Sequence, residues 1–381
     1  MMSQLKQPPK VGTNNIIDAA ITAAKLGYMA DSTVVVQRGA TDALSGTALR
    51  AAYTAACALT PGGNALSATN RATVLIPPGR YDLGALTSAV HGLLLDTQYV
   101  DVIGMSSNCD DCVITATSDQ TQASRGTIEQ TANDVAIENL KVVLVDGAGS
   151  YSTKTSAYFP DTNLTAAKVT NCEFSASGTG SPSSMRLDIE YGGTFKDCVG
   201  GFNAFDGTTS GTFTNCVGGD YSFSAGGIAS GEFINCIGGG YSFGANGTVS
   251  GTFKDCTGGL LAFGGDGGTA SGTFTNCTGS EGSFGGHSGT ASGTFVNCTG
   301  GQYSFGTFGT ASGEFFNCRQ TSGTFTAPSS GGRHVLCIDG NGDVYSAADG
   351  DTVEHSMGGK LTNVTDPTSA QDAATKAYVD P

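Results

Sequence analysis

The chain has 381 residues, 58 of them glycine and none tryptophan, and a formal charge of −15 from 18 basic and 33 acidic side chains. That length admits one elongated domain or two compact ones. The charge excludes nucleic acid as the main partner, because a phosphate binder gathers lysine and arginine, and no such cluster occurs. No stretch nears the roughly 18 apolar residues of a membrane span, so no membrane insertion is expected.

Met1–Asn14 is polar, without the apolar core of a secretory signal, so the twelve cysteines are expected to form in a reducing cytoplasm. Asn15–Lys25 reads as a short amphipathic helix with Ile17, Ala20, Ile21 and Ala24 on one face. Thr47–Ala58 is a second, alanine-rich helical stretch. Thr73–Tyr81 reads as a strand ended by Pro-Pro-Gly. Strand-like runs follow at Gly92–Leu95, Tyr99–Ile103, Val113–Thr115 and Val135–Val145. Cys109 and Cys112 form a lone CxxC with no second pair nearby, which reads as a loop rather than a zinc site.

From Gly192 onward the chain repeats itself. The anchor Gly-[Thr/Glu]-Phe-x-[Asn/Asp]-Cys ends at Cys198, Cys216, Cys236, Cys256, Cys277, Cys298 and Cys318, with spacings of 18, 20, 20, 21, 21 and 20. A second aromatic follows each of the first six anchors, at Phe205, Phe223, Phe243, Phe263, Phe284 and Phe305. Between glycines run three to six residues rich in Phe, Thr, Val, Tyr and Ile, which suit a pleated surface and are too short for helices. Each repeat therefore reads as one turn of a solenoid, with like residues stacked about 4.8 Å apart. Alternation points Phe213 in and Thr214 out, and sets Asn215 at a corner to bond successive backbone amides. Continuous ladders are expected for phenylalanine (Phe195 to Phe315), for Asn/Asp (Asp197 to Asn317) and for cysteine (Cys198 to Cys318). Regular spacing gives the cysteines a packing role, as small buried hydrophobes, rather than a metal or redox one. The fold class is all-β, a right-handed parallel β-helix with a short N-terminal helical cap.

The N-terminal order of helix, Ile-Pro-Pro-Gly-x-Tyr, apolar strand and Val-x-Val-Ile-Gly-x-Ser, present as Val74–Tyr81 and Val100–Ser106, resembles the start of pectate-lyase-like β-helices. Asp134–Leu140 is similar to an ordinary coil of that family, and the resemblance spans roughly Asp18 to Phe325. At the other end, Leu361–Asp380 (LTNVTDPTSAQDAATKAYVD) closely resembles a sequence common in bacteriophage tail fibres. Upstream, His334–Val344 resembles a strand–turn–strand unit that often precedes it. In such fibres these segments mark trimeric regions, so the resemblance implies a homotrimer. The expected organisation is a virion-attachment segment and capping helix at 1–30, the start of the β-helix at 31–191, regular repeats at 192–326 and a fibre-like segment at 327–381.

Phage β-helices also include glycan-cleaving spikes. Glycoside hydrolysis wants two carboxylates about 5–10 Å apart. Asp220 and Glu281 lie three coils apart, roughly 14 Å, and Glu232 and Glu314 four coils, roughly 19 Å. Asp188 and Glu190, outward together by alternation, are the remaining catalytic candidates, against a solvated face as the simpler reading. Lys196, Lys254 and Arg319 are isolated, which offers no lyase base. Tyr221, Tyr241 and Tyr303 recur two residues before the second Phe. Alternation turns them inward with it; if exposed they are the candidate ligand contacts. The outward threonines Thr194, Thr212, Thr252, Thr273 and Thr294 would suit ice recognition, but Glu232 and Glu314 interrupt them.

The sequence thus points to a structural and adhesive phage tail fibre or spike subunit, assembled in the host cytoplasm. The alternative is a tailspike polysaccharide depolymerase, a hydrolase or lyase, on the same scaffold. Expected partners are two further copies of the chain, tail or baseplate proteins at the N-terminus and a host surface glycan or protein receptor. The small residues Ser222, Ser242, Ala262, Ser283 and Ser304, read as outward, would let subunits approach closely. No cofactor and no metal are expected.

Overall fold

The computed structural model describes residues 31–86, 92–118, 126–146, 155–159, 164–177, 183–224, 226–325, 332–348 and 354–356. The expected helix at Asn15–Lys25 and the fibre-like Leu361–Asp380 lie outside these residues.

The chain winds as a right-handed parallel β-helix with three faces. The first face runs from Thr33–Val35 through Ala72–Ile76 and the repeat strands to Arg333–Ile338. The second begins at Gly79–Leu86 and narrows, from Val199 on, to single bridges Val199–Val217–Ile237–Thr257–Thr278–Thr299. The third runs from Leu93–Leu95 to Thr310–Ala311. Each anchor phenylalanine pairs in register with the next, Phe213 with Phe233 and Phe233 with Phe253.

Helix α1, Asp42–Cys57, starts five residues before the expected position. Thr41 caps it by accepting from the Leu44 amide at 3.2 Å, which satisfies an amide that the first turn leaves open. Ser45, Gly46, Leu49, Ala52, Tyr53 and Ala56 are buried. Gly46 permits close approach to the strand below, since a Cβ there would sit 1.9 Å from the Asp82 carbonyl oxygen. The expected strand at Thr73 ends at Pro-Pro-Gly, as Ala72–Ile76, and Gly79–Leu86 begins beyond Pro77 and Pro78. Another expected strand is split at a corner. Val135–Val145 becomes Ala136–Glu138 and Lys141–Asp146, broken at Asn139, which has φ of 58°. Asparagine tolerates that left-handed backbone better than most residues. Arg71 ties three early coils together: its Nε meets Asp101 Oδ2 at 2.7 Å and its Nη1 meets Asp134 Oδ1 at 2.8 Å.

The core is two aromatic columns. Rings from Phe195 to Phe315 stack at 4.6 to 5.0 Å. Rings from Phe205 to Phe305 stack at 4.7 to 5.0 Å. Within a coil the two columns meet edge to face, as Phe233 and Phe243 do at 5.8 Å. All of these rings are fully buried, and each burial contributes roughly 1.5–3 kcal/mol. The cysteines form a third column. Most of these thiols reach a carbonyl one coil earlier, as Cys236 Sγ does to Phe213 O at 3.3 Å and Cys256 Sγ to Phe233 O at 3.3 Å, while Cys216 Sγ bonds Thr214 O of its own coil at 3.5 Å. All twelve cysteines are unpaired, and burial pushes the Cys172 thiol up to about 12.

The asparagine corners differ from expectation in their partners. Their side chains bond one another rather than backbone amides: Asn215 Nδ2 donates to Asp197 Oδ1 at 2.8 Å, and Asn235 Nδ2 to Asn215 Oδ1 at 3.0 Å. The stack also continues past residue 326. Arg333–Ile338 pairs in parallel with Glu314–Phe316, so that His334 takes the phenylalanine position and Cys337 the cysteine position, its Sγ 3.3 Å from Phe315 O. Asp343–Ala348 then returns antiparallel along that last strand, as the expected strand–turn–strand unit.

Candidate functional site

The second aromatic of each coil is placed by two left-handed residues. Tyr221, Tyr241, Leu261 and Tyr303 have φ between 54° and 60°, and Phe223, Phe243, Phe263 and Phe305 between 52° and 57°. A left-handed residue breaks the two-residue alternation of a strand. Ser222, Ser242, Ala262, Ser283 and Ser304 therefore turn inward beside the phenylalanines and are 0 % exposed. The expectation that they form an outward subunit contact is thus wrong. Tyr221 turns outward instead, 38 % exposed, while Tyr241 and Tyr303 are half-buried. The inward placement that alternation gave these tyrosines fails for the same reason.

Outside, they build a flank strip. Phe202 and Tyr221 rings lie 5.4 Å apart, and Tyr221 and Tyr241 stack at 4.9 Å and 5°. Leu261 and Gly282 interrupt the column; the Leu261 side chain fills the space that a Cβ at Gly282 would enter. The strip resumes with Tyr303, whose ring meets Phe308 at 5.1 Å and 39°. Beside it runs a column that sequence reading missed: Gly226, Asn246, Asp266, His287 and Phe308, each ten residues after a repeat cysteine and each left-handed. Its occupants share no residue type, so no motif marks it. With its amide turned to suit its neighbours, Asn246 donates to the Asp266 carbonyl and to Asp266 Oδ2 at 3.2 Å. Asp266 Oδ1 lies 3.6 Å from His287 Nδ1, and the His287 ring 6.4 Å from that of Tyr303.

Among the described residues, the carboxylate candidates of the regular coils stay apart. Asp188 and Glu190 lie on strand Ser183–Tyr191, Glu190 in register with Thr208; their side chains fall outside the described part. Glu232 and Glu314 share one column with Thr252, Thr273 and Thr294 between them. Among the described residues no group of three or more His, Cys, Asp or Glu side chains is placed to hold a metal ion. No described helix is long and apolar enough to cross a membrane.

A cavity of about 460 Å³ opens between α1 and Leu93–Leu95, lined by Arg50, Tyr53, Cys57, Leu93, Asp96 and Thr97 among others. Its polar groups answer one another. Tyr53 Oη accepts from the Thr97 amide at 3.1 Å and faces Asp96 Oδ1 at 3.4 Å, and burial pushes the phenol pKa up. Arg50 Nη2 donates to Leu83 O at 2.9 Å. This arrangement fastens the helix to the coils.

No protein-family model matches the chain, and no curated protein matches it either.

Proposed function

We propose that the chain is a structural and adhesive subunit of a phage tail fibre or spike, mediating attachment to a host surface. The carrying observation is the partly exposed, interrupted aromatic strip of Phe202, Tyr221, Tyr241, Tyr303 and Phe308 along one flank of the stack. Rings placed at the surface by a backbone that the stack already orders lose little further entropy on contact, which favours adhesion. The likeness of Leu361–Asp380 to tail-fibre sequences supports the virion setting and the homotrimer. Residues 1–30 would join it to tail or baseplate proteins.

Two measurements test this. Light scattering of the full chain should give three times 38.3 kDa; a stable monomer removes the trimer. Antibodies against the repeats should label the tails of intact particles in electron micrographs; bare tails and free antibody would reject the virion assignment.

A further inference from the structure

The left-handed column supports a more specific reading of the flank. Gly226, Asn246, Asp266 and His287 are residue types that tolerate that backbone, whereas Phe308 adopts it, with φ of 62°, against steric preference. Phe308 is also 71 % exposed, the largest value among the exposed apolar side chains described. Exposure of so large an apolar ring opposes folding, and among the described residues Tyr303 is its ring neighbour. An exposed apolar patch rimmed by polar groups marks a binding surface.

The neighbouring chemistry restricts that ligand. Phe308 is tilted by 39° from Tyr303, so a ring face stays open. Asn246, Asp266 and His287 line the next positions with amide, carboxylate and imidazole. Glu281, also exposed, adds a second carboxylate, and the whole chain carries −15. An acidic polymer would be repelled. Strand addition by a peptide is blocked, because local amides already bond the next coil, as Gly282 N does to Gln302 O at 2.7 Å and His287 N to Tyr303 O at 3.1 Å. A saccharide fits: its C–H face packs on an aromatic ring and its hydroxyls reach the polar groups at the rim. We infer that Asp266, His287, Tyr303 and Phe308 form a binding site for a neutral or amine-bearing saccharide. This rests on the attachment reading above and names its ligand class.

The test uses the full chain in affinity electrophoresis and calorimetry with dextran, glucosamine oligomers and polygalacturonate. Phe308→Asn and His287→Asn are the variants, because asparagine fits the left-handed backbone as Asn246 does and keeps the fold. Retention by dextran or by glucosamine oligomers, but not by polygalacturonate, is expected. Each variant should weaken that binding about tenfold or more, a typical loss for a central aromatic or hydrogen-bonding contact, with melting temperature unchanged or raised. Equal binding by parent and variants overturns the site. So does equal or tighter binding of polygalacturonate, or no binding of both other probes. If those results coincide with undiminished adhesion of the chain to bacterial cells, the site falls and the attachment reading stands. Absence of adhesion to any cell tested removes the attachment reading itself.

Discussion

Asn276 Nδ2 donates to Asp255 Oδ1, one coil earlier, at 2.9 Å. The chain of amides continues upward: Asn297 to Asn276 at 3.1 Å and Asn317 to Asn297 at 2.9 Å. Every bond points toward the N-terminus. An ionised carboxylate accepts but cannot donate, so Asp255 ends this run, and a separate run from Asn235 and Asn215 ends at Asp197.

Moving that break should cost nothing, and adding one should cost something. Asn276→Asp removes the donor to Asp255 and sets two carboxylates one coil apart, a loss of about 1 kcal/mol. Adding Asp255→Asn to that variant restores a donor toward Asn235 and leaves one break, so stability should return close to the parent. Urea midpoints for parent, single and double variants check this. A double variant weaker than the single one contradicts the directed ladder.

Leu336 holds the asparagine position of the last coil, with φ of 54° and 61 % exposure. Leu336→Asn should relieve the backbone and reach Asn317, a gain of about 1–2 kcal/mol. Leu336→Gly relieves the backbone without the amide, so the difference between the two in thermal unfolding reports the extra hydrogen bond. No gain in either variant refutes the strain argument.

Phe253 stacks on Phe233 at 4.6 Å and on Phe274 at 5.0 Å, and meets Phe243 and Phe263 edge to face. Phe253→Ala should cost about 3–5 kcal/mol. Phe325, at the end of its column and 5 % exposed, should cost less on the same change. Denaturation followed by phenylalanine burial and by circular dichroism compares them; equal losses would mean that the columns do not share their packing.

His334 is boxed by Phe315 at 4.8 Å, Phe325 at 5.2 Å and Tyr345 at 6.4 Å. Neither ring nitrogen has a hydrogen-bond partner. Burial lowers its pKa from 6.5 to about 4. The unfolded chain therefore binds the proton more readily. Stability is full above about pH 6.5 and falls as the pH drops toward 4, by about 3 kcal/mol in all. His334→Phe restores the column residue and should flatten this dependence. Unfolding midpoints at pH 7 and pH 4.5 provide the check; an equal acid loss in the variant assigns it elsewhere.

Much of this was legible in the sequence because the anchor repeats chemically. Phe213, Asn215 and Cys216 recur at nearly fixed spacing, and spacing is what a stack preserves. The extra residue of the longer coils sits in a loop, at Gly267 with open space around it, so the register survives. What sequence reading lost was backbone handedness. Tyr221 and Phe223 obey no alternation once both are left-handed, so Tyr221 and Ser222 exchanged sides. Asp266, His287 and Phe308 were invisible for another reason: their column is defined by position and not by residue type. The helix start at Asp42 was hidden by a glycine, Gly46, that serves close packing.

Because each turn of the repeats carries a complete set of interior residues and hands the next an identical seat, the reach of this molecule is quantised. Excising 237–256 would join Cys236 to Thr257 and set Phe274 upon Phe233, shortening the shaft by about 4.8 Å without disturbing either neighbour. An excision of half that size would drop a bend onto a strand. Lineages of such a protein can therefore lengthen or shorten the stack in whole steps while the coils on either side stay as they were.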